Sequence, residues 1–230
     1  MSEIESLSSS SPPVLLQRHS ENPQQNVIEV TGEASVAAAP NRSVVTLGAV
    51  TENKELLPAQ QENSAIVTRI IAALGQLGVP KEHIRTADYR IDMQYSFEDG
   101  KQLFQGYQVT HLLEITLDQI DRTGTVVDTA VRQGANTVTN IRFVNTHPEA
   151  YYNQALQLAI RQAENKAISL ARAIQATLNR TPLRIEELSQ PQPPAPFHTS
   201  LYAAGASGPT PIQPGQLSIT AQVRARYSYV

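Results

Sequence analysis

A chain of 230 residues is long enough for one generous domain or two small ones, and at that length roughly 70 to 75% of the unfolded surface is buried, so no covalent staple is required. The 18 Lys and Arg against 21 Asp and Glu leave a net charge of −3 with neither sign gathered into a block, which excludes the electrostatic footprint of a nucleic-acid partner. Cysteine is absent, which excludes disulfides, thiolate metal sites and a cysteine nucleophile.

The first residues, "MSEIESLSSSSPPVLLQRHSENPQQ", place acids before any cation, and their longest apolar run is Val14 to Leu16. A secretory signal needs a basic start and an apolar stretch of about 7 to 15 residues. Residues 1–26 are therefore expected to be a disordered leader, and the cytoplasm is the expected compartment. Elsewhere no uninterrupted apolar run reaches about 18 residues, so no membrane-spanning helix is expected.

"NVIEVTGEASVAAAP" and "SVVTLGAVTE" follow as strands rich in Val and Thr, with Pro40 and Asn41 at the turn between them. Pro58 suits the first turn of a helix. Ile66, Ile70, Leu74 and Leu77 then recur at helical spacing, and Gly78 with Pro80 supplies the stop. A strand from about Ile84 to Phe97 sets Ile91, Met93 and Tyr95 on one face against Asp92 and Gln94 on the other. Asp99-Gly100 marks a hairpin, and the returning strand aligns Tyr107, Val109, His111, Leu113, Ile115 and Leu117.

Asp118 is placed to cap a second helix whose buried side carries Ile120, Val127, Ala130 and Val131, with Gly124 allowing a close approach. "RQGANTVTNIRF", Arg132 to Phe143, has the polar composition of a ligand loop. Gly134 nevertheless sits where a left-handed residue ends a helix, and the rest alternates as a strand, so the stretch is read as a corner with Asn136 and Thr137 bonding to the backbone. Strand, helix, strand, hairpin, strand, helix, strand is the order of the split βαβ, or ferredoxin-like, arrangement. Both helices then cover one face of the sheet.

A third helix opens at Thr146 or His147 and runs to about Leu178, roughly 45 Å at 1.5 Å per residue. Its stripe is Tyr152, Leu156, Ala159, Ala163, Ala167, Leu170 and Ile174. That length exceeds what a small sheet covers, so its alanine seam is a candidate surface for self-association, with an intramolecular partner as the competing reading. "PLRIEELSQ" reads as one more strand. Residues 191–215 hold seven of the 15 prolines and form an irregular loop. The tail alternates Leu217, Ile219, Ala221, Val223, Ala225, Tyr227 and Tyr229 on one side, and is expected to pair with the sheet already built. The class is α+β: a ferredoxin-like core, one long extra helix and a C-terminal strand, in a single domain spanning 27–230.

These segments resemble the SIMPL domain family. The likeness is carried by "VTGEASVAAAPNRSVVTLGAVTE" (Val30 to Glu52), "QGYQV" (Gln105 to Val109), "GANTVTNIRF" (Gly134 to Phe143), "ALQLAIRQAENKAISLA" (Ala155 to Ala171) and "PIQPGQLSITAQVRARY" near the end. Ala34, Asn41 and His111 depart from the residues usual there. The resemblance implies no catalytic residues. It implies members often exported to the cell envelope, some linked to oxidative-stress tolerance, some built into ring-shaped homo-oligomers, and one acting as a signalling adaptor.

Candidate chemistry is sparse. The five histidines, His19, His83, His111, His147 and His198, show no i, i+4 pair for a metal. His111, with Tyr107 as its expected hydrogen-bond partner, reads as a core or interface histidine before it reads as a general base. Asp88 and Asp92 share a strand face and are the one candidate acid/base pair, set against ordinary solvated charges. Arg224 and Arg226 share a side of the last strand and read as solvated. No nucleophile elbow or phosphate-binding loop occurs; "GASGP" at Gly205 lacks a following helix. The expectation is a non-enzymatic, self-associating scaffold or binding protein with no cofactor, metal or nucleic acid. The alternative is a small-molecule binder or hydrolase using the Asp88/Asp92 face or the His111 region.

Overall fold

The computed structural model of the chain describes residues 26–188, 195–197 and 210–230. The expected leader, apart from Asn26, lies outside the described residues, as do "GASGP" and most of the proline-rich segment. The strands are β1 (Val27–Ala38), β2 (Arg42–Asn53), β3 (Ile84–Glu98), β4 (Lys101–Leu117), β5 (Thr137–Val144), β6 (Arg184–Glu187), β7 (Ala195–Phe197) and β8 (Gln216–Ser228). The helices are α1 (Leu56–Gln76), α2 (Thr123–Arg132) and α3 (Pro148–Ala173).

The ferredoxin-like order is present. One antiparallel sheet runs β3-β4-β2-β5, so β2 and β3, joined by the crossover helix α1, point the same way with β4 between them. Val45, Leu47 and Ala49 of β2 and Leu113 and Ile115 of β4 face Val67, Ile70 and Leu74 of α1 and Val126, Val127 and Ala130 of α2. Val131, expected on the buried side of α2, is exposed. Gly124 does permit a close approach, because a Cβ there would lie 2.3 Å from the Thr210 carbonyl oxygen. Asp118 is no cap. A 3-10 turn at Ile120–Arg122 separates it from α2, and its carboxylate pairs with Arg42 at 2.7 Å instead.

The C-terminal strand departs from expectation. β8 pairs along its length with β1, from Val27 opposite Ser228 to Ala38 opposite Leu217. β6 and β7 share its other side, in a second antiparallel sheet. The apolar face of β8 is covered by α3. Ala155, Ala159, Ala163, Ala167 and Ala171 form the buried seam, packed with Ile28, Val30, Val223, Ala225 and Tyr227. Contact is backbone to backbone, since a Cβ on Gly32 of β1 would fall 1.9 Å from the Ala159 carbonyl oxygen. The alanine seam is thus taken by an intramolecular partner. Leu170 and Ile174, expected in the stripe, are exposed, and the helix stops at Ala173, with Gln175 at φ 55°.

The two layers meet at a polar junction. Asn41 donates from Nδ2 to Thr146 Oγ1 and accepts from the Thr146 N–H through Oδ1. Asn145 Nδ2 donates to the Ala39 carbonyl. Two short connections cross between the layers, 39–41 and 145–147, and residues 210–215 form a strap that leads into β8.

Candidate functional site

β3 and β4 pair from Ile84–Ile115 out to Glu98–Lys101, whereas β2 accompanies β4 only as far as Tyr107. The outer half of the β3–β4 hairpin therefore projects past the end of the sheet as a two-stranded arm. Gly106 makes this possible: its φ is +149°, and a Cβ there would sit 2.5 Å from the Asn53 carbonyl oxygen, where β4 slips past the end of β2. A bulge between Gln94 and Tyr95 accompanies it. Asp99 (φ 48°) and Gly100 (φ 73°) close the arm, as the sequence indicated.

One face of this arm and of the adjoining edge strand β3 is apolar and open. α1 rests on β2 and β4, leaving Tyr89 (47% exposed), Met93 (58%), Phe97 (74%) and Phe104 (47%) in contact with solvent, along with Ile91, Tyr95 and, on the first turn of α1, Leu57. The rings pack against one another. Tyr95 and Phe104 meet edge to face with centroids 5.7 Å apart, and Phe104 and Tyr107 do so at 5.2 Å. The Tyr95 hydroxyl donates to Met93 Sδ at 3.5 Å, Gln105 Nε2 donates to Ser96 Oγ at 2.7 Å, and Gln60 Nε2 from α1 donates to the Tyr89 hydroxyl at 3.1 Å. Sequence alternation signalled the strand face carrying Ile91, Met93 and Tyr95. What it did not signal is that no helix covers this face, because coverage depends on how far β2 and α1 reach.

The sequence candidates fall on two sides of the same strand. Asp88 and Asp92 lie on the face opposite the shelf, and Arg90 between them pairs with both, Nη1 to Asp88 at 2.6 Å and Nε to Asp92 at 3.1 Å. The pair thus faces solvent with one guanidinium bound between its two carboxylates, an ordinary surface ion-pair arrangement. His111 lies on the shelf side, half-buried, and its partners are Thr86 (Nε2 to Oγ1, 3.2 Å) and the Tyr89 ring (5.1 Å, edge to face) rather than Tyr107. Tyr89 stands opposite His111 in the β3–β4 register, whereas Tyr107 is four residues along the same strand. Burial lowers the His111 pKa from its ordinary value. Among the described residues no group of three His, Asp or Glu is arranged to hold a metal ion.

"RQGANTVTNIRF" is the corner it was read to be, except that the Thr137 hydroxyl donates to Asn136 Oδ1 at 3.2 Å and not to the backbone. Gly134 has φ +105°, and the Asn136 amide grips the β2 backbone from both sides, accepting from Val50 N–H at 2.8 Å and donating to Val50 C=O at 2.7 Å. Asn140 and Arg142 face solvent. Arg224 and Arg226 are not merely solvated: Arg226 binds Glu29, while Arg224 reaches Glu29 and Glu186 at 3.6 Å each, and Arg184 pairs with Glu186 at 2.5 Å. This alternating row ties β1, β8 and β6 across their open face. It holds the Glu29 carboxyl below its ordinary pKa, chiefly through the Arg226 hydrogen bond.

Among known proteins, the chain is similar to the "26 kDa periplasmic immunogenic protein" of Brucella melitensis biotype 1, 28% identical over 221 residues, covering 92% of this chain and 88% of the relative. It is also 28% identical to "Uncharacterized protein YggE" of Escherichia coli strain K12 over 144 residues, 63% of this chain and 58% of that protein. The protein of the same name from Edwardsiella ictaluri matches at 28% over 190 residues, 81% and 78% of the two chains. The periplasmic name of the Brucella relative overturns the cytoplasmic expectation: leader composition was a poor guide to compartment. No helix among the described residues is long and apolar enough to cross a membrane. The model of the family described as "SIMPL: Protein of unknown function (DUF541)" matches residues 28–227, and the chain belongs to that family.

Proposed function

We propose that this protein is a non-enzymatic, self-associating scaffold of the periplasm, and that copies dock on one another through the apolar shelf of the β3–β4 arm. The observation that carries the reading is the area of that shelf. Leu57, Tyr89, Ile91, Met93, Tyr95, Phe97 and Phe104 are 39 to 74% exposed. At about 200 Å² for each large side chain, they present on the order of 700 Å² of exposed surface along the hairpin and the first turn of α1. The largest apolar patch of an ordinary monomer is about 300 to 600 Å², and a standard interface takes about 800 Å² from each partner. The relative's periplasmic name supports the compartment. Arg90, by occupying Asp88 and Asp92, weighs against the hydrolase alternative.

The test is the solution mass of the full chain over a dilution series, beside a Phe97→Asp/Phe104→Ser variant. Both positions are exposed, and losing the two ring contacts of Phe104 is expected to cost about 1 to 3 kcal/mol, so retention of the fold is checked by circular dichroism beside the mass. The wild type is expected to form a discrete assembly and the variant to be monomeric at the same concentration. A wild type that stays monomeric at hundreds of micromolar, or a variant that assembles unchanged, defeats the reading.

A further inference from the structure

We infer that Met93 is an oxidation site whose conversion to the sulfoxide releases the copy-to-copy contact. This rests on the association reading above and names its regulation. The chain contains no cysteine and two methionines, Met1 and Met93, so Met93 carries the one sulfur atom among the described residues. It is 58% exposed at the middle of the shelf, directly between Ile91 and Tyr95 on the same strand face. One of its two sulfur lone pairs receives the Tyr95 hydroxyl at 3.5 Å, a contact that leaves the second uncommitted, and more than half of the residue's surface is in reach of a small reagent.

The reagent is a peroxide. Sδ attacks one peroxide oxygen, the O–O bond breaks, an S–O bond forms, and the second oxygen leaves as water or an alcohol after taking up the proton. Sulfur loses two electrons and the peroxide gains them. The product replaces a flexible apolar side chain with a polar, chiral one. The sulfinyl oxygen is a far better acceptor than the thioether and takes over the Tyr95 hydroxyl, pulling on the ring that packs against Phe104. A docked copy would then have to desolvate that oxygen in the centre of an apolar contact. Since the contact itself buries Met93, oxidation proceeds on the free chain and holds it free until the sulfoxide is reduced.

The experiment follows the solution mass of the full-length protein before and after hydrogen peroxide treatment, with the modified residue located by peptide mass mapping. Met93→Leu, which keeps the apolar volume but cannot be oxidised, is measured in parallel. Oxidation at Met93 is expected to weaken assembly at least tenfold, methionine sulfoxide reductases are expected to restore it, and Met93→Leu is expected to assemble like wild type and ignore peroxide. Complete Met93 oxidation with the assembly intact overturns this inference alone. So does a Met93→Leu protein that peroxide disperses equally. An untreated wild type that is monomeric overturns the association reading and this inference with it.

Discussion

Side-chain amides in this protein serve the backbone. Asn63, 1% exposed on the buried side of α1, donates from Nδ2 to the carbonyls of Ala49 and Val109, 3.0 Å each, and so ties the helix to two strands at once. Asn136 does the same for the end of β2, and Asn41 with Asn145 holds the junction between the layers. His111 shows the opposite economy, a titratable group whose charged form is disfavoured by partial burial, between Thr86 and Tyr89. Its folded-state pKa lies below the unfolded value of about 6.5. Below that value the unfolded chain binds the proton that the fold resists. The His111 contribution is thus present above about pH 6.5 and is lost as the pH falls through the depressed folded value. His111→Gln is expected to flatten the pH dependence of the urea midpoint in the window just below pH 6.5. An unchanged slope in the variant would show that His111 titrates alike in both states.

At the scale of the element, α3 acts on β1 in two ways. Its alanine seam brings helix backbone against strand backbone at Gly32. Its next row of side chains closes the strand's open edge: Lys166 Nζ donates to Thr31 C=O at 2.8 Å and Gln162 Oε1 accepts from Glu33 N–H at 2.7 Å. An edge strand with its hydrogen-bonding groups so occupied is a poor template for another chain. β3, the outer strand of the other sheet, has no comparable helical cover over its apolar side. Gly32→Ala is expected to cost roughly 3 kcal/mol, because the added Cβ meets backbone that cannot rotate away. Gly75→Ala in α1, where a Cβ meets nothing within 4 Å, is expected to stabilise by about 0.5 to 1 kcal/mol. Denaturant midpoints moving in the same direction for the two variants would contradict this account of the helix–strand contact.

For the whole molecule, the question is what keeps two separately cored layers together. One contribution is the strap that leads into β8. Thr210 donates its N–H to Asp128 Oδ2 at 3.0 Å and its hydroxyl to Oδ1 at 2.5 Å, its carbonyl covers Gly124, and Ile212 packs on the core beneath α1 and α2. The strap thus anchors in one layer the chain that completes the other. The hydroxyl and amide of Thr210 hold the Asp128 carboxyl below its ordinary pKa. Asp128→Ala is expected to speed hydrogen exchange of the Thr210 amide by roughly tenfold or more while the Val223 and Val45 amides keep their protection. Equal acceleration at all three sites would mean that Asp128 supports global stability instead of the strap.

The helices and strands of this protein were legible in its sequence because the signals are local. Period-two alternation marked β4 and β8, spacing by threes and fours marked α1, and Gly78, Asp99-Gly100 and Gly134 marked ends and turns through backbone dihedrals that neighbouring residues cannot override. The order of elements between β2 and β5, with the short connections, was enough to settle the ferredoxin-like sheet. Family membership was carried in the same way, by five short blocks in order. Tertiary structure alone decided that β1 and β8 build a second sheet, that the alanine seam is spent on Gly32 within the chain, that Arg90 bridges the Asp88/Asp92 pair, and that the aromatic side of the β3–β4 arm stands uncovered. Each of these depends on which distant segments reach one another. Alternation tells which side of a strand is apolar, but whether that side is covered depends on the lengths and positions of elements far away in the chain.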